Sequence, residues 1–247
     1  LILAMVVAGL LALLVGLITV NLRSDYLAIA TIGIAEIVRL VLKNEGWLTN
    51  GVRGISSIPG PFDGLSGITE GMAYLVTLLV FVAGVYWICE RLFRSPWARV
   101  LRAIRANEDA VRAAGKNVLL FRLEAFVLGS MFMGLGGALY AHFVGFVSPS
   151  AFDPMFATFV VWVMLIAGGS GNNRGALLGA LVIWAVWTLS SSMIDALADI
   201  GLLPDQLATQ ASALRIFLIG LLLEIILLTR REGLLPERPP KAIDRAD

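Results

Sequence analysis

Residues 91–122 hold Arg91, Arg94, Arg99, Arg102, Arg105, Arg112, Lys116 and Arg122, eight of the 19 basic side chains in a chain of 247 residues. This cationic segment lies between two apolar stretches, where it can meet either a partner's surface or anionic lipid. A second chemical feature sits inside an apolar stretch, 27–42, whose polar residues are Thr31, Glu36 and Arg39. Charges at membrane depth face a bundle interior or water, so Glu36 and Arg39 either line a path or form an ion pair that fixes helix packing. Catalytic chemistry is sparsely supplied. His142 is the single histidine and Cys89 the single cysteine, which leaves no internal disulfide, no His- or Cys-based metal set and no nucleophile triad. Gly134, Gly136 and Gly137 follow no strand, and the turn Gly168, Gly169, Ser170, Gly171, Asn172, Asn173 lacks a phosphate-binding lysine after it, so neither reads as a nucleotide cradle. No enzymatic activity, cofactor, metal or nucleic-acid partner is expected.

The basic segment has helical order. Trp97, Val100, Leu101, Ile104, Glu108, Val111 and Gly115 recur at spacings of three and four on one side, with Arg99, Arg102, Arg105, Asp109, Arg112 and Lys116 on the other. One helix is the expectation, with Arg105–Asp109 and Glu108–Arg112 as pairs four apart and Gly115 as its stop.

These features need a membrane scaffold. The chain is 58% hydrophobic and 15% charged, well past the apolar share of an ordinary soluble domain. Crossing ~30 Å of hydrocarbon takes roughly 20 helical residues; stretches 1–20, 71–89, 123–147, 176–193 and 214–228 approach that, while 27–42 and 155–168 are short. The runs are continuous rather than alternating, which favours helices over a β-barrel. The fold expected is all-α, polytopic, with about seven membrane segments. With 91–122 placed inside, alternation puts Arg23, Arg174, Arg230, Arg231, Arg238, Lys241 and Arg245 on the same side. Lys43 and Arg53 fall outside, together with Asp153, Asp195, Asp199 and Asp205. The N-terminus is then outside and the C-terminus cytoplasmic. Residues 1–230 form the membrane domain and 231–247 a cytoplasmic tail. Because Leu1 opens within an apolar run, further N-terminal helices are expected before it.

The outer loop 44–71 is rich in glycine, with Pro59 and Pro61, and has no sustained period; it reads as a docking or gating surface or as a plug over the bundle. Ser130, Gly134 and Ala138, and Gly175 with Gly179, recur at the spacing that lets membrane helices approach closely.

The run Ser95, Pro96, Trp97, Ala98, Arg99, Leu101, Arg102, Ala103, Ile104, Arg105, Asn107, Glu108, Ala110, Ala113, Ala114, Gly115 resembles the cytoplasmic EAA-type loop of ABC importer permeases, in the version found in LivM-type permeases of branched-chain amino-acid importers. The stretches 25–42 (DYLAIATIGIAEIVRLVL), 54–61 (GISSIPGP) and 123–148 (ending GGALYAHFVGFVS), with Gly233, Leu234, Leu235 and Pro236, are similar to the same family, so the resemblance covers nearly the whole chain. It implies a non-catalytic permease subunit in a bacterial inner membrane that imports branched-chain amino acids. The implied partners are a second, LivH-like permease, two cytoplasmic ATPase subunits, a periplasmic solute-binding protein and membrane lipid.

The resemblance also implies that Arg105, Asn107, Glu108, Ala110, Ala113, Ala114 and Gly115 couple to the ATPase. Thr31, Glu36, Arg39, Gly134 and Gly137 are the residues expected along the path. Val111, Arg112 and Lys116 depart from the family pattern, which bears on the fit to the ATPase. The same architecture carrying urea or short amides is the first alternative, an ion-coupled carrier or channel the second; the latter would call for two matching halves with broken helices, and no internal repeat is evident.

Overall fold

The computed structural model describes residues 1–22, 24–64, 67–199, 211–230 and 232–237. The basic residues Arg23, Arg231, Arg238, Lys241 and Arg245, the acidic Asp205 and most of the tail 231–247 lie outside the described residues. The chain divides into two compact units, 1–152 and 153–247.

In the first unit, α1 (Ile2–Thr19) and α7 (Val118–Val144) pack along their lengths. The reason is the small-residue face anticipated from spacing. Gly9, Ala12 and Gly16 are buried on α1, and a Cβ at Gly134 on α7 would stand 2.6 Å from Ala8 Cβ and 2.7 Å from the Ala4 carbonyl oxygen. With no Cβ in the way the two backbones come close enough for dispersion to hold them, which matters in lipid, where burial of apolar surface gives little. Next come α2 (Ser24–Asn44), the short α3 (Gly46–Thr49) and α4 (Ile68–Arg94). The Tyr74 hydroxyl of α4 donates to the Leu139 carbonyl of α7, and its ring lies 5.2 Å from that of Phe143. Two short helices, α5 (Pro96–Ala106) and α6 (Glu108–Ala113), link α4 to α7.

The loop 44–71 is tied to the end of α7. Ile55–Ser56 (β1) pairs antiparallel with Phe146–Val147 (β2) just past α7, in the register Ile55 to Val147 and Ser56 to Phe146. Ile58 N donates to the Gly145 carbonyl (3.0 Å), and His142 Nδ1 lies 3.1 Å from the Pro59 carbonyl. Gly54 makes the approach possible: its φ is +68°, and a Cβ there would lie 2.8 Å from Ser148 Cβ.

In the second unit, a π-helical turn (Met155–Val160) leads into α8 (Val161–Gly168), followed by α9 (Asn173–Asp199) and α10 (Ala211–Thr229). Val163, Ala167, Ile183, Ile219 and Ile226 form its buried core. Gly168, Gly175 and Gly179 bring α8 and α9 into backbone contact. The Gly168–Asn173 hairpin is more than a bare turn, since the chain beyond α10 returns to it. Leu234 N and Leu235 N donate to the carbonyls of Ala167 and Gly168, both at 2.9 Å, and Asn172 Nδ2 donates to the Pro236 carbonyl.

All seven apolar stretches are helical over most of their length, the end of 123–147 passing beyond α7 into β2. Among the described residues, four helices are long and apolar enough to cross a membrane: Ile2–Thr19, Ile68–Arg94, Val118–Val144 and Asn173–Met193. The others fall short for identifiable reasons. In α2 the charges of Glu36, Arg39 and Lys43 interrupt the apolar run, and Ala157–Gly168 and Ile216–Thr229 are shorter apolar helices.

Candidate functional site

The basic segment forms two helices where one was expected. Asn107 has an extended backbone (φ −158°, ψ 103°), ends α5 and caps α6, its side chain accepting from Ala110 N at 3.0 Å. Ser95 caps α5 in the same manner, accepting from Ala98 N, with Pro96 at the first helical position. Both signals are present in the sequence, where Asn107 precedes the acidic pair Glu108 and Asp109, but the unbroken apolar period masked them. The break puts Arg105 and Asp109 on different helices, so their spacing of four no longer places them on one helical face. The anticipated Glu108–Arg112 pair lies within α6 and is made, at 2.6 Å.

α6 ends as the glycine predicts. Gly115 has φ +75°, its N donates to the Arg112 carbonyl and Lys116 N to the Val111 carbonyl, a paired closure in which the left-handed residue satisfies two terminal carbonyls. A Cβ at Gly115 would meet nothing within 4 Å.

The pair is fastened at both ends. Ile104, Val111 and Val118 form a buried seam with Val100, Leu101 and Phe121 against it. Full burial of an aliphatic side chain stabilises by ~1.5–3 kcal/mol, and each of these three, nearly buried, contributes toward that figure. Glu108, which the periodicity put on the apolar side, is half-buried and accepts from two arginines, Arg112 of its own helix and Arg122 of α7 at 2.5 Å. Trp97 Nε1 donates to Glu124 of α7 at 2.7 Å. Toward α4, Arg102 donates to the Phe93 carbonyl at 3.0 Å and stacks over the Phe93 ring. Sequence reasoning missed Arg122 as the partner of Glu108, and Ala98 and Val118 as buried residues; contacts between α6 and α7 bridge a helix break that no single period spans.

Of the residues implicated in coupling, Arg105, Asn107, Ala110, Ala113, Ala114 and Gly115 are exposed, while Glu108 turns inward. The outer surface of the pair therefore carries small side chains flanked by exposed Arg99, Arg105, Arg112 and Lys116. Side chains this small leave room for close approach by a facing surface.

The residues read along a path are not gathered in one place. On α2, Arg39 Nε and Nη2 donate to the two oxygens of Glu36 at 2.8 and 2.6 Å, and the Thr31 hydroxyl donates to the Leu27 carbonyl of its own helix. Gly134 sits in the α1–α7 contact, whereas a Cβ at Gly137 would meet nothing within 4 Å.

A family model described as the permease component of branched-chain amino acid transport systems matches residues 1–227. The chain belongs to that permease family. It is 32% identical over 246 residues, 97% of this chain and 69% of the relative, to the probable branched-chain amino acid transport permease protein LivM of Methanocaldococcus jannaschii. It is 30% identical over 263 residues to the high-affinity branched-chain amino acid transport system permease protein LivM of Escherichia coli, covering 95% of this chain and 57% of the relative. The chain thus spans little more than half the length of that enteric protein. A more distant likeness, 27% over 158 residues and 62% of this chain, is to the xylose transport system permease protein XylH of Escherichia coli. No solved structure matches the chain. As a member of this family the chain is a multi-pass helical membrane permease component of an ABC transport system.

Proposed function

We propose that this chain is the permease subunit of an ATP-driven importer for branched-chain amino acids, and that α5 and α6 are the element gripped by a cytoplasmic ATPase subunit. The observation that carries this reading is the division of labour in the helix pair. One side is bolted to α7 by the Ile104, Val111 and Val118 seam and the Glu108–Arg122 ion pair, while Arg105, Asn107, Ala110, Ala113, Ala114 and Gly115 stay exposed. A rod fastened on one side and smooth on the other passes a push into the spans instead of absorbing it. Glu108 contributes as the fastener rather than as a contact for the ATPase.

The remaining partners are a second, related permease, a second ATPase subunit and a solute-binding protein on the outer face. The membrane is the bacterial cytoplasmic membrane, with the C-terminal tail inside, as the sorting of Lys and Arg between loops supports. Residues 1–230 act as the membrane domain. For the path, α2 with Thr31, Glu36 and Arg39 supplies the polar groups and Gly137 an open helix surface, and Gly134 acts by letting α1 approach α7.

The test is reconstitution of the complete importer in proteoliposomes with the Ala113→Trp and Gly115→Trp variants. Ala113 is exposed and helical, so Trp there leaves the fold intact and blocks the groove. ATP-dependent leucine, isoleucine and valine uptake should fall at least tenfold with the chain still membrane-inserted. Wild-type uptake in both variants would overturn the docking assignment, and uptake of urea or short amides in place of leucine would overturn the cargo.

A further inference from the structure

A cleft of about 910 Å³ opens where the adjoining ends of α1 and α7 meet the helix pair. Its volume is within the ~300–1,000 Å³ of small-molecule sites. The walls are apolar, from Leu22, Leu27, Leu101, Leu119 and Phe126, and the polar rim includes Glu108, Arg112 and Arg122. Two guanidinium groups share the Glu108 carboxylate, so the described residues of the rim keep one net positive charge. Each guanidinium has five N–H donors, and both side chains are substantially exposed, 60% for Arg112 and 40% for Arg122.

We propose that this cleft binds an anionic phospholipid, its phosphate on Arg112 and Arg122 and an acyl chain along Leu22, Leu27 and Leu119. Position, shape and charge converge on that ligand. α1 and α7 are both long and apolar enough to cross a membrane, so the cleft at their adjoining ends lies at the headgroup level. A free phosphate would use the arginines and leave the apolar wall in water, whereas a phospholipid covers both. The net positive rim selects an anionic headgroup over a zwitterionic one, as basic pockets between membrane helices do. The bound phosphate would also draw on Arg122, which ties α6 to α7 through Glu108, and on Arg112, which shares that carboxylate, and this makes the joint sensitive to lipid composition.

The experiment measures lipid retention by native mass spectrometry, and thermal unfolding, of the purified chain given phosphatidylglycerol, phosphatidylcholine or inorganic phosphate. Arg112→Gln and Leu119→Ser are the variants, both at exposed positions that a folded chain tolerates. Phosphatidylglycerol should bind about tenfold more tightly than phosphatidylcholine and raise the unfolding temperature, and Arg112→Gln should remove about tenfold of that affinity. Leu119→Ser should weaken the lipid while leaving any response to inorganic phosphate unchanged. Equal binding of the two lipids, undiminished phosphatidylglycerol binding in both variants, or the same thermal shift with inorganic phosphate alone would each overturn the proposal.

Discussion

Glu108 supplies the ion pair that ties the helix pair to α7, and its replacement by Ala puts that tie to a quantitative test. The two ion pairs it makes differ in kind. The one with Arg112 is a spacing of four on a helix with the arginine side chain 60% exposed, so solvent screening leaves it worth about 0.3–0.5 kcal/mol. The one with Arg122 joins two helices, with Glu108 only 28% and Arg122 40% exposed. A charge-assisted hydrogen bond reaches ~1.5–3 kcal/mol when desolvated, and at this exposure about 1 kcal/mol is the figure to expect. Glu108→Ala should therefore destabilise the α6–α7 joint by about 1.5 kcal/mol, and a double-mutant cycle with Arg122→Ala should return a coupling of ~1 kcal/mol. Thermal unfolding of the purified variants in detergent gives the cycle. In proteoliposomes holding the whole importer, Glu108→Ala and Arg122→Ala should each lower leucine taken up per ATP hydrolysed several-fold. The double variant should be no worse than either single one, because all three loosen the same joint, and Arg112→Ala should have a much smaller effect. Additive destabilisation, or an Arg112→Ala effect as large as that of Arg122→Ala, would refute the assignment of Glu108 as fastener.

Gly134→Leu should fail to pack α1 on α7, since even its Cβ meets the Ala4 and Ala8 backbone and side chain at 2.6–2.7 Å; overpacking of this sort costs ~1–3 kcal/mol or more, read as a lowered unfolding temperature or lost membrane yield. Gly54→Val should break the pairing of β1 with β2, because the added side chain falls on Val147 and Ser148 and φ is +68°; uptake dependent on the solute-binding protein should drop while the basal ATPase rate of the reconstituted complex holds. Glu36→Gln removes the charge facing Arg39 at 2.6 Å; with a path role, transport falls at unchanged unfolding temperature, and with a packing role the unfolding temperature falls as well, so normal values of both would show that the pair serves neither.

The sequence alone carried the class and most of the elements, because both are written in local composition. Twenty apolar residues without a charge, as in 1–20, have no folded option in lipid other than a helix that satisfies its own backbone. The spacing of Ser130, Gly134 and Ala138 announced close helix contact before any partner was known, and the residue run around Ser95 to Gly115 pointed to the permease family. Local chemistry was also enough for the Gly115 stop and the Glu108–Arg112 pair, both of which are made within one turn.

What only the tertiary structure decided are the relations that join elements distant in the chain. That Glu108 reaches Arg122, that Ile55 pairs with Val147, that the Leu234 and Leu235 backbone returns to the 168–173 hairpin and that Gly134 faces Ala4 and Ala8 all depend on which helices lie side by side. A hydrophobic period records that a face is buried but not against what, and in a membrane segment, where nearly every position is apolar, it hardly records the face. The break at Asn107 belongs with these. The capping residues were visible, yet two helices win over one because the bend lets Ile104 and Val111 meet Val118 in one seam while Glu108 reaches α7, a gain that exists only once α7 is there to receive them.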